Sequence, residues 1–220
     1  MKNALIVLDI DHTLIDTLNI PSGRLLLEQK KILRKPNLID NYSNNAIWER
    51  PHLKEFLQFL SKNFKYIGIW TNGTDYWLKL IVKKIITKYV PRNQIIIMYS
   101  INRSEHYNVS RNIGMYQYNQ TIHLKKLETI WNNLPNRLNI DKKNTLLIDD
   151  NYENCVFNRA NSLPARKFSI LNESPDQNTK DDRFLRNIIF ILSELKNSQN
   201  FNKTLNKVYA NIRNFDKLFI

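Results

Sequence analysis

The sequence predicts an α/β fold: a doubly wound parallel sheet with a small β insertion, C-terminal helices and no large cap domain. Three short apolar segments indicate fully buried strands, at residues 5–8, 66–70 and 145–148. Between them, apolar residues recur at helical spacing, so strands and helices alternate along the chain. This alternation is typical of βαβ units, in which helices cover both faces of the sheet. A chain of 220 residues is long enough for one such domain.

Three helices are predicted between the strands, and the first follows Pro51, a residue suited to a first helical turn. Their apolar positions are Leu53, Phe56, Leu57 and Leu60 in the first, Trp77, Leu80, Ile81 and Ile85 in the second, and Leu124, Leu127, Ile130 and Trp131 in the third. Side chains three and four residues apart share one face of a helix, so each set is expected to pack on the sheet.

Two other segments depart from the alternation. Residues 94–120 begin with an apolar run and continue into polar, tyrosine-rich sequence, which we predict to be a small β insertion near the mouth of the site. Residues 1–171 then form the main domain, and residues 172–220 form a polar linker and two helices packed on it. The second of these helices carries a stripe of Phe201, Leu205, Val208, Ile212 and Phe215. Such a stripe favours packing on the core, with a partner-binding surface as the alternative.

The composition limits the classes of partner. With 33 basic and 20 acidic residues the net charge is +13, which favours polyanions, so nucleic acid enters as a possible partner. The lysines are scattered in pairs, however, and mark no single face. The single cysteine, Cys155, excludes an internal disulfide framework and suits a reducing compartment. No apolar stretch reaches the roughly 18 residues of a membrane span, so we expect a soluble intracellular protein of the cytoplasm or nucleus.

Two carboxylates follow the first predicted strand. Side chains alternate along an extended segment, so Asp9 and Asp11 can face one crevice while Ile10 points away. One carboxylate can attack phosphorus, and the other can act as general acid and base. Since an ordinary carboxyl group is a poor acid at neutral pH, Asp11 would need a raised pKa. Thr13 could hold the turn through its hydroxyl group.

The other two predicted strands also end in groups that suit phosphate chemistry. Thr71, Asn72 and Gly73 follow the second strand, where a hydroxyl and backbone N–H groups can hold phosphate oxygens. Asp149 and Asp150 follow the third, and carboxylates are ligands that Mg²⁺ prefers. Ligands of open α/β sheets bind at the carboxyl ends of the strands, where these groups would meet.

A metal site and a cation complete the predicted centre. Asp9, Asp150 and the backbone carbonyl of Asp11 could bind Mg²⁺, while Lys125 or Lys126 could balance charge on the transferring group. Each pattern alone has an ordinary explanation, such as a surface turn for the D-x-D or a helix N-cap for the threonine. Their coincidence at three strand ends supports a phosphatase that uses Asp9 as nucleophile.

In these motifs the chain resembles the aspartate-based phosphatases of the haloacid dehalogenase superfamily, and within them the branch that acts on the C-terminal repeat domain of RNA polymerase II. The similar segments are LDIDHTL, the stretch from Arg50-Pro51 to TNGTDYW, Lys125-Lys126-Leu127, and LLIDDNYENCVFNRANSLPA. They occur in the family's order and cover roughly residues 4–168.

The resemblance implies a role for each matching residue. Asp9 would be the nucleophile and Asp11 the general acid and base; Thr71 and Lys125 would contact phosphate; Asp150 would bind the metal, and Asp149 would orient the site. Arg103 would match a substrate-contacting arginine. Asn151-Tyr152 departs from the usual Ser-Pro or Ser-Val, which leaves the substrate in doubt.

Three functions therefore remain open. A protein phosphatase acting on phosphoserine or phosphothreonine is favoured, because no large insertion after Asp11 could serve as a lid, and an open site suits a macromolecular substrate. A nucleic-acid 3′-end phosphatase would use the same chemistry and the net charge. A non-catalytic binding module is the third possibility. The oligomeric state is not predicted.

Overall fold

The computed structural model of this chain describes residues 1–29, 34–113, 116–172 and 182–211. In chain order its strands are β1 (Lys2–Leu8), β2 (Ile15–Asn19), β3 (Leu38–Asp40), β4 (Asn45–Glu49), β5 (Phe64–Trp70), β6 (Ile95–Tyr99), β7 (Glu105–Ile113), β8 (Tyr116–Leu124), β9 (Thr145–Asp149) and β10 (Ser162–Pro164). The α-helices are α1 (Ile20–Gln29), α2 (Leu53–Asn63), α3 (Asp75–Lys84), α4 (Leu127–Asn133), α5 (Tyr152–Phe157), α6 (Phe184–Leu195) and α7 (Phe201–Asn211).

The central sheet has five parallel strands in the order β10-β9-β1-β5-β6. The three predicted strands are confirmed, and they lie side by side with β1 in the middle. Leu8 of β1 is level with Ile69 of β5 and with Ile148 of β9. Because the register brings the three carboxyl ends to one edge, the residues that follow each strand meet there.

Helices cover both faces of this sheet, as predicted. Alternate side chains of β1 enter different parts of the core. Ile6 and Leu8 are buried in a cluster with residues of α2, α3, α6 and α7, whereas Leu5 and Val7 are buried with residues of α4. A strand covered on both sides needs apolar residues at successive positions, which explains the continuous LIVL run.

The insertion differs from the predicted one. Residues 95–98, which we assigned to it, belong to β6, which pairs with β5 at the edge of the central sheet. Only β7 and β8 project, as an antiparallel hairpin. The apolar run belongs to the central sheet because it pairs with β5, and the polar sequence after it forms the hairpin.

A second inserted unit follows the first strand and was not assigned from the sequence. Strands β2, β4 and β3 form a small antiparallel sheet between Asp11 and Arg50. The turn between β3 and β4 reaches α3, where the Tyr76 hydroxyl donates a 2.8 Å hydrogen bond to Asp40. The unit is a small addition beside the site rather than a large cap domain.

The C-terminal helices pack on the core, with six residues of α6 buried, and Phe201 and Leu205 of α7 buried beside them. The predicted stripe positions Ile212 and Phe215 lie outside the described residues, as does the side chain of Val208. Within the described ranges, no helix has the length and apolar character needed to cross a membrane.

Candidate active site

Asp9 lies directly after β1 and is 5% exposed. Its backbone N–H donates to Ile148 of β9 at 3.0 Å, which continues the ladder by one residue. The chain then turns tightly, with His12 in the left-handed region (φ 60°) and Leu14 N–H donating 2.9 Å to the Ile10 carbonyl. The turn keeps Asp9 and Asp11 on the edge of the sheet, and both line one cavity.

Lys125 lies between two of the buried carboxylates. Its ammonium donates to Asp149 Oδ2 at 2.8 Å and to Asp9 Oδ1. Lys126 points elsewhere, because its ammonium is 2.6 Å from Glu105 Oε2 on the hairpin. The geometry thus distinguishes the two neighbouring lysines and places Lys125 in the site.

Two asparagines of the α5 region fix the Lys125 backbone. Asn154 accepts a 3.0 Å hydrogen bond from the Lys125 N–H, and Asn158 donates to its carbonyl at 2.6 Å. Asn154 also donates to Asp149 Oδ2 at 3.1 Å. Sequence reasoning missed both asparagines. The available signal was that they lie four residues apart in the segment after the acidic pair, a spacing that places them on one side of a helix.

Asp149 and Asp150, at the end of β9, have different surroundings. Asp149 is buried and fully engaged, because Oδ2 accepts from Lys125 and Asn154 while Oδ1 accepts from the Asn151 N–H at 2.8 Å. Asp150 is partly exposed and accepts a 3.1 Å hydrogen bond from the Thr13 hydroxyl. Asp149 is therefore suited to orienting the lysine, and Asp150 to binding a ligand in the cavity.

The donor set fits a hard divalent cation. One carboxylate oxygen from each of Asp9, Asp149 and Asp150 lies within 4.8 Å of the others. Four carboxylates and one lysine line the cavity, so its walls carry an excess of negative charge when all are ionised. Oxygen ligands and uncompensated buried negative charge are the conditions under which proteins bind Mg²⁺ or a similar ion.

The carboxyl groups of Asp9, Asp11 and Asp150 have raised pKa values. Burial raises the pKa of Asp9 well above its usual range, although the Lys125 charge opposes the rise, and Asp149 adds to it. Burial also raises the pKa of Asp11, against hydrogen bonds that favour its ionised form. For Asp150, burial and the neighbouring Asp149 charge raise the pKa. A raised pKa is the property that a general acid at Asp11 requires.

Of the three residues after β5 and β6 that were predicted to contact phosphate or substrate, only Asn72 lines the cavity. The Thr71 hydroxyl is buried and donates to Asp11 Oδ2 at 3.1 Å. Asn72 lines the cavity and is held by the hairpin, because it donates to the His123 carbonyl at 3.2 Å and accepts from Ser104 at 2.7 Å. Arg103 is exposed, with its guanidinium 5.5 Å from the centre of the Tyr99 ring, outside the cavity lining found among the described residues.

The cavity itself has a volume of about 340 Å³ and opens at the carboxyl edge of the sheet. Its lining comprises Asp9, Asp11, Asn72, Gly73, Lys125, Asp149, Asp150, Asn151 and Asn154. The sequence prediction named seven of these nine, including Gly73 in the turn after the second strand, and missed Asn151 and Asn154 as lining residues. Asp149 is the last residue of β9, and the other eight lie in the segments that follow β1, β5, β8 and β9. The site therefore depends on four segments that meet at one edge of the sheet.

A buried arginine connects this edge to the C-terminal helices. Arg50 donates 3.1 Å to the Thr13 carbonyl and lies 2.9 Å from Asp182 Oδ2. Its guanidinium is 4.3 Å from the centre of the Phe184 ring, at the start of α6. The side chain has no exposed surface, so it supports the turn after Asp11 from behind.

Comparison with known proteins identifies the family. The model for NLI interacting factor-like phosphatases matches residues 4–205. The chain belongs to this family. Membership confirms the resemblance to this phosphatase branch that was seen in the motifs. The match extends over the sheet, the acidic cavity, α6 and the start of α7.

Two viral relatives share part of the sequence. The CTD phosphatase-like protein 355R of Invertebrate iridescent virus 3 is 38% identical over 97 residues, which cover 43% of this chain and 49% of the viral protein. Its namesake from Invertebrate iridescent virus 6 is 32% identical over 157 residues, covering 68% of this chain and 76% of that protein. The chain thus matches about half the length of the first relative.

Among solved structures, Fcp1, an essential RNA polymerase II CTD phosphatase, aligns with a TM-score of 0.49 and 16% identity. The alignment covers 95% of this chain and 54% of Fcp1.

Proposed function

We propose that this chain is a Mg²⁺-dependent phosphatase that forms an aspartyl-phosphate on Asp9. The supporting observation is the arrangement of Lys125, which bridges Asp9 and Asp149 at the edge where Asp11 and Asp150 line the same cavity. A buried carboxylate beside a fixed ammonium suits attack on phosphorus, because the cation offsets charge on the transferring group.

In the first step a carboxylate oxygen of Asp9 forms a bond to phosphorus as the bond to the leaving oxygen breaks. Asp11 gives its proton to that oxygen, and the alcohol departs. The ammonium of Lys125 is the group proposed to hold the phosphoryl oxygens.

In the second step Asp11, now ionised, takes a proton from a water molecule. The water oxygen attacks phosphorus, and the bond from phosphorus to Asp9 breaks. Inorganic phosphate leaves, and Asp9 and Asp11 return to their starting states.

Asp9 and Asp150, with the carbonyl of Asp11, are the residues proposed to hold Mg²⁺. When bound, the ion supplies positive charge that screens the carboxylates from the anionic substrate. Asp149 contributes indirectly, because its oxygens are engaged by Lys125, Asn151 and Asn154.

The favoured substrate is phosphoserine or phosphothreonine in an extended peptide. Family membership and the names of the viral relatives support this choice. So do exposed aromatic side chains on the two helices that begin close in sequence to cavity residues: Tyr76 of α3 is 42% exposed, and Tyr152 and Phe157 of α5 are 73% and 55% exposed. Exposed aromatic side chains are suited to contacts with an extended peptide.

The test is a phosphatase assay with Mg²⁺ on three substrates: a phosphoserine repeat peptide, a 3′-phosphorylated oligonucleotide and p-nitrophenyl phosphate. Asp9→Asn is the blank, and we expect it to lose at least about 10³-fold in kcat. Preference for the peptide supports the proposal. Preference for the oligonucleotide, with salt-dependent binding, would favour the nucleic-acid end phosphatase. Equal phosphate release by the wild type and Asp9→Asn would indicate a non-catalytic binding module.

A further inference from the structure

Trp77 contacts the proposed general acid directly. Its indole Nε1 lies 3.0 Å from Oδ1 and 3.1 Å from Oδ2 of Asp11. An indole N–H is a donor only, so it can orient a carboxyl group but cannot take its proton. Sequence reasoning assigned Trp77 to the packing face of a helix, and its polar atom instead reaches the site.

The ring is fixed from two directions. At the start of α3, the backbone N–H of Trp77 donates a 3.2 Å hydrogen bond to the Thr74 hydroxyl, which caps the helix. The indole also packs against Gly73, where an added Cβ would lie 2.6 Å from Trp77 Cδ1. A glycine at this position therefore admits the ring to the edge of the cavity.

Thr71 acts on the same carboxyl group. Its hydroxyl accepts a hydrogen bond from the Gly73 N–H at 2.9 Å, so its own hydrogen is directed to Asp11 Oδ2. Two donors anchored in the segment after β5 thus hold Asp11, while its remaining side faces the cavity. The arrangement fixes the direction in which Asp11 presents its carboxyl group.

We propose that Trp77 is a positioning residue, which aims Asp11 at the leaving oxygen of the substrate. The inference rests on the proposed function, in which Asp11 gives a proton to that oxygen as its bond to phosphorus breaks. Misplacing a catalytic group lowers the rate chiefly where its proton is needed. A serine alkoxide needs the proton, whereas p-nitrophenolate leaves readily without one.

The test compares Trp77→Phe and Trp77→His on a phosphoserine peptide and on p-nitrophenyl phosphate. Phenylalanine keeps an aromatic ring and removes the donor, so we expect kcat/KM on the peptide to fall about 10-fold or more and kcat/KM on the aryl ester to change about 2-fold or less. The ratio kcat/KM is used because it reports the steps up to the aspartyl-phosphate, whereas hydrolysis of that intermediate is common to both substrates. Histidine restores an N–H donor and should recover part of the loss.

Trp131→Phe is the matched control, because its Nε1 donates 3.0 Å to Thr145 on another part of the fold. It should affect both substrates equally, and unfolding midpoints of all variants identify any that fail to fold. Equal losses of kcat/KM on both substrates in Trp77→Phe would overturn the inference while leaving the phosphatase proposal intact. A wild type that hydrolyses neither substrate would overturn both.

Discussion

Thr13 and Asp150 exchange two hydrogen bonds across the carboxyl edge of the sheet. The Thr13 hydroxyl donates to Asp150 Oδ1 at 3.1 Å and accepts from the Asp150 N–H at 3.0 Å. One side chain after β1 thereby fixes both the backbone and the carboxylate of a residue after β9. The relative position of Asp9 and Asp150, the two proposed metal ligands, depends on this pair.

Thr13→Val should weaken metal binding. It keeps the shape of the side chain and removes both hydrogen bonds, so Asp150 is no longer oriented. Removing a partner that orients a metal ligand typically lowers affinity about 10- to 100-fold. The Mg²⁺ concentration for half-maximal activity should rise accordingly. Thr87→Val is the control, because Thr87 is partly exposed, donates to the Lys83 carbonyl and is not among the residues that line the cavity, and an equal shift there would contradict the prediction.

Lys125→Met should destabilise the protein strongly. The ammonium is buried between Asp9 and Asp149, and removing it leaves their charges without their main partner. Breaking a buried ion pair from one side typically costs about 3–5 kcal/mol in the free energy of unfolding. Urea denaturation without Mg²⁺ measures this change. Lys126→Met is the matched control, since its partner Glu105 is exposed and such pairs contribute little.

Stability should depend on pH and Mg²⁺ together. Burial raises the native-state pKa values of Asp9, Asp11 and Asp150 above those of the unfolded chain. The native state then binds more protons between the unfolded value of about 4 and the raised native values. The free energy of unfolding of the metal-free protein therefore decreases as pH rises through this window.

Two further groups make stability depend on pH: His12 changes it in the same direction, and Asp16 changes it only at lower pH. The hydrogen bond to Asp16 raises the pKa of His12, so its contribution is complete below about pH 6.5 and is lost as pH rises further. Hydrogen bonds lower the pKa of Asp16 despite its burial, and this contribution is lost only below about pH 4.

Since Mg²⁺ competes with protons for the carboxylates, it should stabilise the protein more at about pH 7.5 than at about pH 5. Denaturation with EDTA and with Mg²⁺ tests this, and an equal gain at both would argue against the site.

Cys155 should be unreactive until the protein unfolds. Burial, and then the neighbouring Asp149 charge, raise the pKa of its thiol to about 12, and thiolate is the reactive form. With a disulfide reagent at about pH 8, the native protein should react at the rate of unfolding, and the urea-denatured protein at once. Rapid reaction of the native protein would mean that the α5 region opens readily.

The central sheet could be predicted from the sequence because the apolar pattern of each strand directly reflects its burial on both faces. LIVL in β1 is apolar at every position since the strand is covered on both faces, and the same holds for β5 and β9. Parallel strands end at one edge, so the convergence of Asp9, Asp11 and Asp150 followed from topology. Lys125 reaches the same edge from the end of β8, which belongs to the antiparallel hairpin.

The parts that were not predicted depend on contacts between distant segments. Strand β10 has three residues, and the small sheet of β2, β3 and β4 has short strands with mixed burial, so neither carries a clear period. The hydrogen bonds of Trp77 and Asn154 join residues that are far apart in sequence, and helical spacing cannot indicate where a polar atom points.

Arg50 connects the turn after β1 to the start of α6, because it donates to the Thr13 carbonyl and to the Asp182 carboxylate. During synthesis, Asp182 emerges 173 residues after Asp9, the proposed nucleophile. Until then the buried guanidinium lacks the Asp182 carboxylate that it contacts in the folded structure. The turn after β1 should therefore remain incompletely supported until α6 has been synthesised and has packed.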